Sequence, residues 1–573
     1  MDDAGWQAAD YRHGIFRRLT VEALEPAPCT RDYPSPGTGE PFHHIDADDV
    51  PRVPKLRQII GPSFVALGIG LGAGEFLLWP NLITVNGFRV LWLFGIGVLA
   101  QFVVIGEIER WTVATGESLF AGMARMTRVA LWPWFFVVAS LISFFWPGWA
   151  SQSATFVSDA VNVIAGRQLD VAWQPIAIAM LVFTWLALAL SKVVYNALEK
   201  SEIYLVAAFF PLLIVAAILA GATFSDVADL AKGFVSFGSA PRTLLSGDQF
   251  PTLLIAVAYA GSGGTLLLGQ SLWVRDKGFG LGAFQGRIAG IRGANEPITQ
   301  PGFAFSARAD VGRRRFQRWM ALVDKELAVA FVLPILLSVA LTGLVVAATV
   351  GIGNTALAGD LTGMVTRVAG TLRERVSTWL ALVFLLGGAL VLFSTQFGIM
   401  DTVTRIVGDI VYEQTSRKGG RFTIKGIFLL FLTLLTVASI GIVAVSWLLG
   451  RSVEEGANTL QPNFLIIIAG PFTIASMYAF ACVIAVLNTC YLPAPLRMPR
   501  AKLIAMYLSI LLWGWFTAEI ITRTVLRYAL GATGEEAVTI TFDLVRVSMY
   551  GLMLASLGYV IARTFKPGLL GSA

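Results

Sequence analysis

The stretch ALGIGLGAGEFLLWP, residues 66–80, lies in the first long apolar segment of the chain and interrupts it with Gly72, Gly74 and Glu75. Glycine costs a helix roughly 1 kcal/mol relative to alanine, and a carboxylate at the bilayer centre costs at least about 2.5 kcal/mol on insertion scales. Neither suits a helix whose only task is to cross lipid. The pattern is expected where a spanning helix comes apart, because unwound backbone is tolerated at that depth only when it is buried in protein or lines a cavity. A counterpart lies further on. Residues 256–268 read AVAYAGSGGTLLL, and placed without gaps the two stretches share the leading alanine, Gly74 with Gly264, and Leu77–Leu78 with Leu267–Leu268. The plainer use of such glycines is close packing between helices.

The rest of the composition fits a membrane chain. Of 573 residues, 56% are hydrophobic and 14% charged, and the mean hydropathy is +0.70; soluble globular chains carry about a quarter charged residues. Apolar segments near the ~20 residues needed to span a bilayer fall at 58–84, 88–110, 131–160, 172–191, 200–222, 250–273, 327–351, 377–401, 426–449, 463–488, 502–522 and 543–563. These are numbered spans 1 to 12. The third is long enough to tilt or break around WPGWA, residues 146–150. The fold class expected is an all-α polytopic membrane protein.

Residues 1–56 are polar and contain proline, and they lack the basic start and apolar centre of a signal peptide. They read as a largely irregular cytoplasmic tail. Lys and Arg concentrate on one side of the spans, with ten between residues 273 and 325, among them VGRRRFQRW. By the positive-inside rule this places both termini in the cytoplasm of a cell membrane. The same asymmetry accounts for the net charge of +6 without a nucleic-acid partner; such loops are attracted to anionic lipid headgroups. The three cysteines, Cys29, Cys482 and Cys490, are too scattered for a disulfide framework or a zinc cluster. His13, His43 and His44 all precede the spans, so the membrane body offers no imidazole for a proton relay or a metal. His43 and His44 beside Asp46, Asp48 and Asp49 read as solvated tail before they read as a metal patch. No GxxxxGK[ST] stretch suggests ATP as a driving force, and nothing points to an enzyme or a permanently bound cofactor.

Several stretches carry a resemblance in order along residues 57–522: GPSF (61–64) leading to GAGE (72–75), EIERWTVATGES (107–118), AGSGGTLLLGQSLWVRDKGFGLG (260–282), STQFGIMDTVTRIVGDI (394–410) and LNTCYLPAPLRMP (487–499). Together they resemble the Nramp metal-ion transporters of the APC superfamily, and more closely a related branch lacking the usual metal-site residues. The resemblance implies a LeuT-type fold. Two five-helix inverted repeats, 57–222 and 250–488, would be followed by accessory helices in 502–563, with spans 1 and 6 broken around a central site. It also implies secondary active transport by alternating access. The departures from the family bear on the cargo. Gly72 stands where the family has its metal-binding aspartate and Glu75 where it has asparagine. Ser262, Gly263 and Gly264 replace its Met-Pro-His. Without thioether or imidazole, a divalent cation would meet oxygen donors from Glu75, Ser262, Thr265 and the main chain. That donor set suits a harder ion, such as magnesium, which tends to retain water.

The expected binding set is therefore Gly72, Gly74, Glu75, Ser262, Gly264 and Thr265, with Thr395 and Gln396 from span 8. Two roles are open to Glu75: holding a cation or the coupling proton, or serving as a structural carboxylate bonded to nearby amides. Glu107 with Arg110, and Asp401 with Arg405, lie three and four residues apart on one helix face and read as structural or gating pairs. Asp324, Lys325 and Glu326 read as interfacial, Asn488 as a helix-end cap, and Glu519 as a packing or lipid-interface residue. Two other functions use the same fold. Amides at a half-helix N-terminus, as AGSGGT could supply, attract an organic carboxylate such as an amino acid. Alternatively, the fold could serve as a membrane sensor that moves nothing. The oligomeric state is open.

Overall fold

The computed structural model describes residues 42–565 apart from 128, 170, 192–193, 247–248, 288–290, 292–297, 299–300, 307–308, 417–422, 453–459 and 526–534. Among the described residues eleven helices are long and apolar enough to cross a membrane. They match eleven of the twelve expected spans. The remaining one, span 6, is missing from that set because it is in pieces: Phe250–Ala258, a 3-10 stretch Gly264–Gly269, and Gln270–Lys277. The chain is an all-α polytopic membrane protein.

Span 6 comes apart as expected, but span 1 does not unwind: it stays one helix over Pro62–Asn86, correcting the expectation of a break there. Span 1 is α-helical over Pro62–Gly70 and again over Trp79–Asn86. Between them, Leu71 and Gly72 keep right-handed backbone and Ala73–Leu78 widens to a π-helix, so the hydrogen-bond register shifts while the rod continues. Span 6 truly unwinds after Ala258. Gly261 (φ 117°), Gly263 (φ 60°) and Gly264 (φ 57°) take left-handed backbone, which costs other L-residues roughly 1–2 kcal/mol each. A helix that stops in the bilayer must satisfy its last carbonyls. Here Trp79 Nε1 donates to the Ala256 carbonyl at 2.8 Å and Gln101 Nε2 donates to that of Ala258 at 3.0 Å.

The glycines of span 1 decide how closely its neighbours come. Ala66, Gly70 and Gly74, four residues apart, share one face. Ser262 Oγ donates to the Ala66 carbonyl at 2.5 Å. A Cβ on Gly70 would stand 2.9 Å from the Gly261 carbonyl carbon, and one on Gly74 would stand 1.9 Å from the Tyr259 oxygen. The contacts descend from 262 to 259 as span 1 ascends from 66 to 74, so the helix lies antiparallel along the unwound strand. Gly68 and Gly72 form a second face. A Cβ on Gly68 would meet Glu202 of span 5 at 1.8 Å, and one on Gly72 would meet Thr395 Oγ1 of span 8 at 2.3 Å. Phe76 then anchors the far half of span 1 among Phe156, Phe209 and Phe384.

Around this pair, span 8 is a single helix, Thr378–Val411, packed along the second half of span 3. Span 3 does break at the expected place, into Leu131–Phe144 and Gly148–Ala165. Spans 11 and 12 pack on span 10. Only 6% of the apolar window of span 12 is buried, which puts that helix at the rim. Large exposed apolar side chains such as Leu386, Leu390, Leu434 and Val437 mark the surface offered to lipid.

Two segments are more ordered than the sequence suggests. Residues 273–325 were expected as a loop, yet span 6 continues to Lys277 and the helix of span 7 starts at Asp310. Phe316, Trp319, Met320 and Val323 give Asp310–Leu327 a buried stripe at helical spacing, which the count of arginines hides. The end of the tail is ordered too. His43–Ile45 pairs in parallel with Phe303–Phe305, and Arg315 and Trp319 donate to the carbonyls of Val50 and Pro51, each at 2.8 Å. Residues 1–41 lie outside the described residues.

Gly74→Ala is expected to lower stability by about 1–3 kcal/mol, the usual cost of overpacking, because the obstacle is main chain. Gly95→Ala, where a Cβ meets nothing within 4 Å, should be neutral or gain up to about 1 kcal/mol in helix propensity. Thermal unfolding of both variants in detergent checks the contrast.

Candidate functional site

Where spans 1, 3, 6 and 8 meet, a small cavity is walled by Ile69, Gly70, Ala73 and Gly74, by Phe144 and Trp149, by Tyr259, Gly261, Ser262 and Leu266, and by Thr395. Its volume, about 10 Å³, admits roughly one water molecule or a bare cation. Rings close over it: Trp149 stacks edge-on against Tyr259 at 6.1 Å and tilts against Phe144 at 6.0 Å.

The expected binding residues divide around this cavity. Gly74, Ser262 and Thr395 form part of its wall, and Gly72 lies against Thr395. Glu75, Thr265, Gly264 and Gln396 do not line it. Gln396 accepts the Ala150 amide at 3.3 Å and so holds the first turn of the second half of span 3. Gly264 fits its missing side chain against Thr473 and Phe144. Ser262 spends its proton on Ala66, which leaves its oxygen to act only as an acceptor. Thr265 Oγ1 is fully buried and makes no hydrogen bond.

Glu75 is the unusual group. It is fully buried and neither carboxyl oxygen has a hydrogen-bond partner of normal geometry. The main-chain amides of Gly261 and of Glu75 itself act on it electrostatically, and its own carbonyl is held by Thr342 Oγ1 of span 7 at 2.8 Å. A buried polar atom left unpaired costs about 1–3 kcal/mol, and more when charged. Among the described residues no three His, Cys, Asp or Glu gather as a metal cage. A cation held here would therefore have one carboxylate and otherwise neutral oxygens.

The two ion pairs expected from spacing both form and are larger than pairs. Arg405 Nε bonds Asp401 at 2.8 and 2.7 Å, and its Nη1 bonds Asp276 of span 6 at 2.6 Å, with all three buried. A turn further on, Arg275 bonds Asp409 at 2.7 Å. Glu107 holds Arg110 at 2.6 and 3.0 Å and receives Asn488 Nδ2 at 3.1 Å. Asn488 therefore ties span 10 to span 2, correcting its reading as a helix cap. The links through Arg405 and Arg275 clamp the half of span 6 after its break against span 8, while the Glu107 network ties span 2 to span 10.

Several buried acids were missed or misplaced by the sequence reading. Glu326, expected at the interface, is fully buried. It accepts the Gly61 and Ser63 amides at 3.2 Å each and the Ser63 hydroxyl, capping the free amides that begin span 1. Glu109 accepts from Gln270 Nε2 at 2.8 Å. Glu202, on span 5, faces Gly68 and Ser394. Spacing alone could not reveal them, since each partner is remote in sequence. Glu519 bonds Arg523 at 2.9 Å and Tyr550 of span 12, the packing role expected of it.

The class defined by this fold and cavity is a polytopic membrane protein with a π-widened span 1 and an unwound span 6 meeting at its centre. No family model matches the chain, and no curated protein matches it. Among solved structures it is similar to the manganese transporter of Eremococcus coleocola. Two mutant forms of that protein, a histidine-to-alanine and a glutamate-to-alanine variant, each align with a TM-score of 0.61 at 10% identity, covering 90% of this chain and 98% of that one. The same transporter bound to an aromatic bis-isothiourea compound aligns at 0.59 and 11% identity, with the same coverage. At that identity the likeness establishes a shared fold.

Arg405→Met strands two buried carboxylates and is expected to cost about 3–5 kcal/mol. Adding Asp276→Asn and Asp401→Asn should recover part of that loss, and denaturation of the single and triple variants measures the coupling.

Proposed function

We propose that the protein is a secondary active transporter that moves a metal cation by alternating access, with the cation held where span 1 meets the break in span 6. The observation that carries this reading is Glu75, a fully buried carboxylate with no side-chain partner, one residue beyond Gly74 in the cavity wall. Such a group is costly in lipid and is retained where it has a partner to meet. The shared fold with a manganese transporter supports the class of activity and says nothing of the ion.

The residues suit an oxygen-liganded cation. Ser262 in the cavity wall supplies hydroxyl oxygen, and Glu75 and Thr265, buried beside it without hydrogen-bond partners, join it once the site widens, with main-chain carbonyls near the break supplying the rest. A cavity of about 10 Å³ holds a bare ion only. A magnesium ion, which dehydrates reluctantly, would enter through a wider conformation of the same site. The buried Asp276–Arg405–Asp401 and Arg275–Asp409 links act as the gate on the basic side, which the charge asymmetry assigns to the cytoplasm. An organic carboxylate as cargo would have to approach Glu75 against charge repulsion and would exceed the present cavity.

Glu75→Gln is expected to reduce uptake of manganese or magnesium into proteoliposomes by at least about tenfold, while thermal stability holds or rises because a neutral amide replaces a buried acid. Uptake at the wild-type rate would make the carboxylate structural.

A further inference from the structure

Glu202 takes no part in the cavity, yet it occupies a junction of its own. It is fully buried on span 5, and its two carboxyl oxygens lie 2.7 and 2.6 Å from a single group, Ser394 Oγ on span 8. Its tip rests on bare backbone of span 1, since a Cβ on Gly68 would fall 1.8 Å from Oε2. One acid therefore touches span 1, span 8 and its own span 5.

Three features of this junction disfavour a bare negative charge. Gly68 brings bare main chain of span 1 against the carboxyl group, and main chain inside a continuing helix has no spare N–H to give it. Among the described residues no cationic side chain acts on Glu202. Of the charged groups on the elements packed around it, Lys200 on its own helix is exposed and most others are engaged elsewhere. Glu199 on its own helix bonds Lys277, and Asp401 and Asp409 of span 8 bond Arg405 and Arg275. Glu326 at the start of span 7 caps span 1, and Glu75 lies further along span 1. Finally, Ser394 has one hydroxyl hydrogen to give. It can be donated to one carboxyl oxygen; a hydrogen on the other oxygen, pointed back at Ser394 Oγ, completes the contact.

On the reading of the chain as a transporter, we propose that Glu202 is a proton-carrying site separate from the Glu75 cation site. When spans 1, 5 and 8 part toward one side, a carboxylate oxygen of Glu202 takes a proton from hydronium, forming an O–H bond and leaving water. The acid is then buried again against Gly68 and Ser394. When the spans part toward the other side, the O–H bond breaks and the proton passes to water there. A neutral acid can be enclosed at this junction, whereas an ionised one holds it open, so protonation is tied to closure.

Infrared difference spectroscopy on the full-length protein in lipid nanodiscs tests this without reference to the cargo. Stepping the pH should reveal the carbonyl stretch of a protonated, hydrogen-bonded carboxyl group. The band should be lost in Glu202→Gln and moved in frequency in Ser394→Ala. If Glu202→Gln does not fold, displacement of the band in Glu202→Asp and Ser394→Ala carries the assignment. A spectrum that is the same in wild type and variants, or a band that sodium chloride removes at constant pH, overturns the proposal, the second in favour of a sodium site. In proteoliposomes, the ratio of manganese uptake with an inward proton gradient to uptake without one should fall to one in Glu202→Gln; an unchanged ratio overturns the coupling role. Absence of any flux in the wild type with the band present would instead refute the transport reading and leave the proton site standing.

Discussion

Main chain touching main chain in the middle of a membrane is the constraint on which this molecule is built. Span 1 approaches the unwound stretch of span 6 so closely that Gly70 and Gly74 have no room for a methyl group. Lipid offers no hydrogen bonds, so exposed backbone must be sheathed by protein. The sheath here is specific: Trp79, Gln101 and Ser262 each satisfy a carbonyl at the junction. The small cavity is what remains between two backbones that cannot quite fill the space between them.

Charge is distributed to match. Most acids that face span 6 after its break, or the beginnings of spans 1 and 7, are paired or capped: Asp276 and Asp401 on Arg405, Asp409 on Arg275, and Glu326 on two amides and a hydroxyl, whereas Glu109 has Gln270 on one oxygen and nothing on the other. Glu75 and Glu202, nearer the interruption, are not balanced by any cation among the described residues. A bundle with ion-paired locks on one side and unbalanced acids at its centre has its rigidity and its responsiveness in different places. Buried pairs add little net stability, but separating them exposes every partner at once.

Much of the fold was legible from residues alone. Twelve apolar segments, the break of span 3 near WPGWA and the interruption of span 6 all follow from hydropathy and from glycine placement. The ion pairs at three- and four-residue spacing were legible for the same reason, since a helix brings such residues onto one face. What escaped shares one property, partners far apart in the chain. Glu326 looked interfacial because two other charged residues precede it, and Asn488 looked like a cap because prolines follow it. Gln396 was expected at the cavity and is spent on the Ala150 amide instead. In 273–325 the arginines masked an amphipathic stripe.

The sequence by itself determined that the chain crosses the membrane many times and that span 6 is interrupted, because hydropathy and backbone freedom are properties of single residues and short windows. Only the tertiary structure decided that span 1 widens to a π-helix without breaking while span 6 opens at left-handed glycines. It alone also decided which glycine meets which neighbour and which acids are left without a counter-charge. Those outcomes depend on distances between elements, and a distance across a bundle is set by the packing of all its helices together.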